Sequence, residues 1–128
     1  MTVHEAIQEA ERVLPGVASP EGERGPRWQA IIHVGYFIGT DPDAVWAFVE
    51  KWGSHQDEDL RTAIATCLLE HLLGEHFADY FGKVEDAVHG SPIFGDTFSR
   101  CWKFDQAEQP ENAKRWDKLL NESRGRLR

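Results

Sequence analysis

Residues 60–68 and 94–102 carry the same apolar face twice, and this echo limits the possible folds more than any other feature of the chain. Leu60, Ile64, Cys67 and Leu68 superpose on Phe94, Phe98, Cys101 and Trp102 at an offset of 34 residues. Asp41-Pro42-Asp43 maps onto Gln109-Pro110-Glu111 at twice that offset, and the same shift carries Phe48 onto Trp116 and Trp52 onto Leu120. Pro26 and Pro92, both placed to open a helix, stand 66 residues apart. A period of this length belongs to stacked helical hairpins, in which a unit buries its apolar face only against its neighbours. Three hairpins are expected, over residues 26–53, 58–89 and 92–124.

Local signals give the same picture, helix after helix with no strand. Thr2-Val3-His4-Glu5 is a capping box that opens a lead helix over residues 1–14. The Pro/Gly/Glu-rich stretch 15–26 stops it as a loop. Pro26 suits the first turn of the next helix, Asp41-Pro42 caps and starts "DAVWAFVEKW", and Gly53 suits the left-handed position after it. A long helical stretch follows from about Leu60, with a break or kink near Gly74. Ser91-Pro92 opens "IFGDTFSRCWKF", the last helix is "QPENAKRWDKLLNES", and residues 125–128 form a basic tail. The expected fold class is all-α, about seven helices in one domain over residues 1–128.

The segments "RWQAIIHVGYFIG", "DPDAVWAFVEKW" and "DLRTAIATCLLEHLL" resemble HEAT-like or armadillo-like helical-repeat proteins, in particular small bacterial ones. That resemblance implies antiparallel hairpins stacked into a right-handed superhelix, and a scaffold that binds other macromolecules, with only occasional enzymes. Tetratricopeptide repeats share the period, and Trp28, Ala44 and Phe48 fit their pattern. Gly35-Tyr36 stands out of register with it, and no Pro ends the unit at Gln56.

With 128 residues, 41% hydrophobic residues and five Trp, the chain can fill a core without a covalent staple. Cys67 and Cys101 lack CxxC partners and read as buried, reduced thiols. The N-terminus is polar and apolar runs are short, so a cytoplasmic protein without membrane spans is expected. The net charge of −8 is uneven: residues 1–110 hold 8 basic against 19 acidic side chains, and 111–128 hold 6 against 3. An acidic body repels phosphate backbones and disfavours nucleic acid as a partner.

The stretch "LLEHLLGEHFADYF" raises the question of a metal or acid/base site. At 100° per residue His76 falls inside the apolar stripe, as a hydrogen-bonded core or junction residue. His71 lies about 140° away on the polar side with Glu75 and Asp79. The HExxH spacing is absent, as are GxSxG, P-loop and GxGxxG motifs, so no catalytic residue, cofactor or metal ligand is assigned. The acids Asp41 and Asp43, and Asp57, Glu58 and Asp59, sit at helix starts, where carboxylates cap free amides. Trp46 points roughly 100° off its helix's apolar stripe. It packs on the next hairpin, or it anchors a partner within a ring of these acids. The function expected is a non-enzymatic protein-binding module with an acidic surface for a basic protein, of immunity or antitoxin type by analogy of size, charge and architecture. The alternatives are a small metal-dependent hydrolase using His71, Glu75 and Asp79, and a nucleic-acid-processing helical-repeat module.

Overall fold

The computed structural model describes residues 1–15, 22 and 25–126. Among them are seven α-helices and no strand: α1 (Val3–Val13), α2 (Pro26–Gly35), α3 (Pro42–Trp52), α4 (Glu58–Ile64), α5 (Glu70–Gly90), α6 (Pro92–Ser99) and α7 (Pro110–Arg126). A π turn, Ala65–Leu69, joins α4 to α5, and a 3-10 turn, Asp105–Glu108, precedes α7. The expected loop 15–26 and basic tail 125–128 lie partly outside the described residues.

Helix starts follow the local chemistry. Thr2 and Glu5 form the capping box by exchanging hydrogen bonds of 3.0 and 3.2 Å. Asp57 accepts from the amides of Asp59 and Leu60, and Ser91 accepts from Phe94. Pro26, Pro42, Pro92 and Pro110 each open a helix, where a missing N–H costs nothing. Two expectations at α3 are corrected. Asp41 makes no side-chain cap and instead accepts from the Thr40 hydroxyl at 2.9 Å. Gly53 is not left-handed, having φ −68°. A Cβ there would lie 2.8 Å from the Phe94 ring, so glycine serves a close approach between α3 and α6.

The long second unit turns back on itself. A straight helix from Glu58 to Gly90 would be about 50 Å long. Arg61 nevertheless lies 2.9 Å from Asp96, only six residues beyond Gly90. The chain reverses at His76, whose φ of −137° and ψ of 45° leave the helical region. The expected break near Gly74 is therefore real and falls two residues later. A distant side chain and a distant backbone carbonyl hold it. Gln106 donates to the Glu75 carbonyl at 2.6 Å and accepts from the Phe77 amide at 2.9 Å, patching the interrupted ladder, while His76 Nε2 meets the Ile38 carbonyl at 3.0 Å.

The first helices of the three units then lie side by side. Trp28 donates to Asp59, Arg61 pairs with Asp96, and Cys101 Sγ lies 3.6 Å from the Ala65 carbonyl, across sequence separations of 31 to 36. Second-helix contacts run in the same register, Glu85 with Arg115 and His89 with Glu122, 30 and 33 residues apart. Between the two rows lies one core containing Ile31, Ile64 and Phe98, with Phe77, Phe81, Phe98 and Trp116 as a continuous aromatic chain. α1 covers one end, through Glu11 with Lys51 and Trp52. No helix among the described residues is long and apolar enough to cross a membrane.

Candidate functional site

Trp46, expected as a surface anchor or a packing residue, is packed. It is 6% exposed, with its ring centroid 6.3 Å from that of Tyr80 and 6.1 Å from that of Phe94. The acids around it do not form one ring. Asp41 and Asp43 stand at the start of α3 and Asp57, Glu58 and Asp59 follow its end, separated by the length of an 11-residue helix, about 16 Å. Most are engaged inside the molecule. Asp57 and Asp59 flank the buried Arg27 at 2.8 and 3.5 Å, Glu58 meets Arg100 at 3.1 Å, and Asp43 accepts from the Tyr80 hydroxyl. Burial, and then the Asp43 carboxylate, push the Tyr80 phenol up to about 12. Burial would raise the Asp57 carboxyl, but the Arg27 guanidinium and the capped amides outweigh it and bring it below the usual range.

The open face lies at the other end of α2. There the chain leaves α2 through Tyr36 and approaches the π turn closely. A Cβ at Gly35 would be 3.2 Å from the Cys67 carbonyl, so the lack of a side chain sets the spacing. Between these elements runs a groove of about 590 Å³, within the size range of ligand-holding clefts. Ile32, Tyr36 and Gly39 line one side, and Thr66 and Cys67 of the π turn with His71 and Glu75 of α5 line the other, where Glu75 Oε2 faces Gly39. π turns recur at functional positions because they re-aim the side chains of a helix by part of a turn.

Aromatic side chains gather on the same face. Among the described residues the large hydrophobic side chains that stand exposed are Met1, Tyr36 (72%), Trp102 (72%) and Phe104 (39%). Tyr36 lines the groove, and Phe104 lies parallel to the His71 ring at 5.6 Å between centroids. Trp102 is tied to the same wall through Glu70, which accepts its amide at 3.1 Å and lies 3.7 Å from His71 Nε2. The 34-residue echo placed Trp102 on the core face beside Leu68. It is exposed because α6 ends at Ser99; from there exposure alternates, with Trp102 and Phe104 exposed and Cys101 and Lys103 partly covered, as for residues two apart on one side of an extended segment.

The two histidines go separate ways, His71 to Phe104 and His76 to Ile38. His71 and Glu75 share the groove, while Asp79 lies past the break in α5. Among the described residues no three His, Cys, Asp or Glu side chains converge as metal ligands. Neither cysteine forms a disulfide. Burial, and then the charge of Glu70, raise the Cys101 thiol well above its ordinary value. Tyr36, Trp102 and Phe104 are the site residues that sequence reasoning missed. Signals were present for all three: Gly35-Tyr36 stands out of register with the tetratricopeptide pattern, and Trp102 and Phe104 alternate in "CWKF" as residues of an extended segment do. Comparison with protein-family models, with curated proteins and with solved structures finds no match to this chain.

Proposed function

We propose that the protein is a non-enzymatic binding module that docks a basic protein on the groove between α2 and the π turn. The observation that carries this reading is an open groove lined by the exposed Tyr36 and flanked by Phe104 through its stack on His71, with the exposed Trp102 two residues from Phe104; Met1 apart, these are the exposed large hydrophobic side chains among the described residues. Exposed aromatics beside a concave surface are the composition of binding hot spots. The net charge of −8 supports a basic partner, drawn in by the field of the whole body, with Asp41, Asp43 and Glu58 adding to that field at a distance. Stacking of HEAT-like type is part of the same proposal, supported by the contacts at separations near 34, and inhibition of a basic toxin is its narrower form.

The test compares the wild type with a Tyr36→Ala/Trp102→Ala double variant, both changes being at exposed positions. Partners captured by the wild type are expected to be lost by the variant at unchanged thermal stability. Their association should slow as salt shortens the Debye length from about 10 Å at 0.1 M to about 3 Å at 1 M. A double variant that retains the same partners would sink the reading.

A further inference from the structure

One carboxylate, that of Glu75, lines the groove. Glu75 has no Lys or Arg partner among the described residues. Beside it lies His76 Nε2 at 3.8 Å, and that nitrogen already meets the Ile38 carbonyl. The Glu75 side chain is 53% exposed and its Oε2 reaches toward Gly39 on the opposite wall, where a Cβ would lie 3.8 Å away. The groove therefore offers a carboxylate that no Lys or Arg among the described residues pairs with.

The walls beside this charge are flat and aromatic. His71, one turn before Glu75, is stacked on Phe104 with 10° between the ring planes, and Tyr36 stands across the groove. An ammonium group would satisfy the carboxylate and make little use of the walls. A guanidinium uses both, because it is planar, stacks on rings and pairs with a carboxylate through two parallel N–H donors. The chain contains the same combination elsewhere: Arg115 lies over Phe77 and Phe81 at 5.9 and 5.0 Å and pairs with Glu85 at 2.6 Å.

We propose that the groove reads arginine: an extended segment of a basic protein lies along it, with one guanidinium held by Glu75 and stacked on the Tyr36 or His71–Phe104 surface. This rests on the groove being a protein-docking face. A cleft of about 590 Å³ exceeds one side chain, so the residues flanking the arginine fill the remainder.

The probe is a blocked pentapeptide, acetyl-Gly-Gly-Arg-Gly-Gly-amide, titrated into the isotopically labelled protein and followed by amide and indole chemical shifts. Its lysine and citrulline counterparts serve as comparisons. Saturable shifts are expected at Tyr36, Thr66, His71 and Glu75, with the lysine peptide several-fold weaker and the citrulline peptide showing no saturation. Glu75→Gln, at an exposed position, should weaken the arginine peptide about tenfold or more, the scale of one charge-assisted hydrogen-bonded pair. Equal binding of lysine and arginine peptides at the groove overturns arginine reading and leaves the docking face standing. Absence of groove shifts with every peptide also overturns it, and the docking face then stands or falls with capture by the Tyr36→Ala/Trp102→Ala variant. Shifts unaffected by Glu75→Gln overturn the assignment of that carboxylate.

Discussion

Glu70 is 5% exposed, set between the π turn and α5, and its carboxyl is raised above the usual range by burial, against the opposing pull of the Trp102 amide and His71. A folded-state pKa above the unfolded value gives a contribution that is fully present below the unfolded pKa and is lost as pH rises through the folded one. At neutral pH the charged Glu70 therefore costs stability that a neutral acceptor would not. Glu70→Gln keeps an acceptor for Trp102 and removes the charge. It is expected to melt higher than the wild type at pH 7, with the gap closing as pH is lowered toward 4, measured by thermal denaturation across that range. Asp96 acts in the opposite direction. Burial would raise its carboxyl, but hydrogen bonds from Arg100 and Arg61 bring it below the usual range, so its contribution is held at neutral pH and lost on acidification. Single residues of this kind were only partly readable. His76 was placed as a hydrogen-bonded junction by its position in the apolar stripe, and it meets Ile38. The burial of Trp46 depends on Tyr80 and Phe94, which no local pattern brings together.

At the scale of elements, starts were legible, and so were the stops of α1 at Val13, α3 at Trp52 and α5 at Gly90, while α2 and α6 stop earlier than expected. A helix start is local chemistry, as Thr2, Asp57, Ser91 and the four prolines show. A stop can be set from far away. α6 was expected to continue through Phe104 and ends at Ser99, and just beyond it the Trp102 amide is taken by Glu70, 32 residues upstream. The reversal at His76 depends likewise on Gln106, presented by a 3-10 turn whose first residue, Asp105, adopts φ 47°, a left-handed conformation that aspartate tolerates. Gln106→Ala removes both of its bonds to the interrupted ladder. A loss of about 1–3 kcal/mol is expected, the range for a buried amide left unpaired, together with faster hydrogen exchange at the Phe77 amide than at other α5 amides.

For the whole molecule, the 34-residue echo led to the expectation of one core shared by three hairpins. Ile31, Ile64 and Phe98, one from each unit, share a single core. Phe98→Ala, which truncates the ring between Phe81 and Trp116, should cost about 3–5 kcal/mol and move one cooperative transition in chemical denaturation, since its contacts join units two and three. The exposed face was not legible in the same way. Periodicity identifies which residues face inward and is silent where a helix ends early, which is how Trp102 reached the surface. The reversal at His76 also bears on the order of folding. Its hydrogen-bonded ties come from Ile38 on one side in sequence and Gln106 on the other, both outside residues 58–90. The middle hairpin is therefore expected to form late, after both flanks are in place, where a simple repeat array would add one unit at a time; hydrogen-exchange pulse labelling during refolding, showing Phe77 protected no earlier than α2 and α6, would check it.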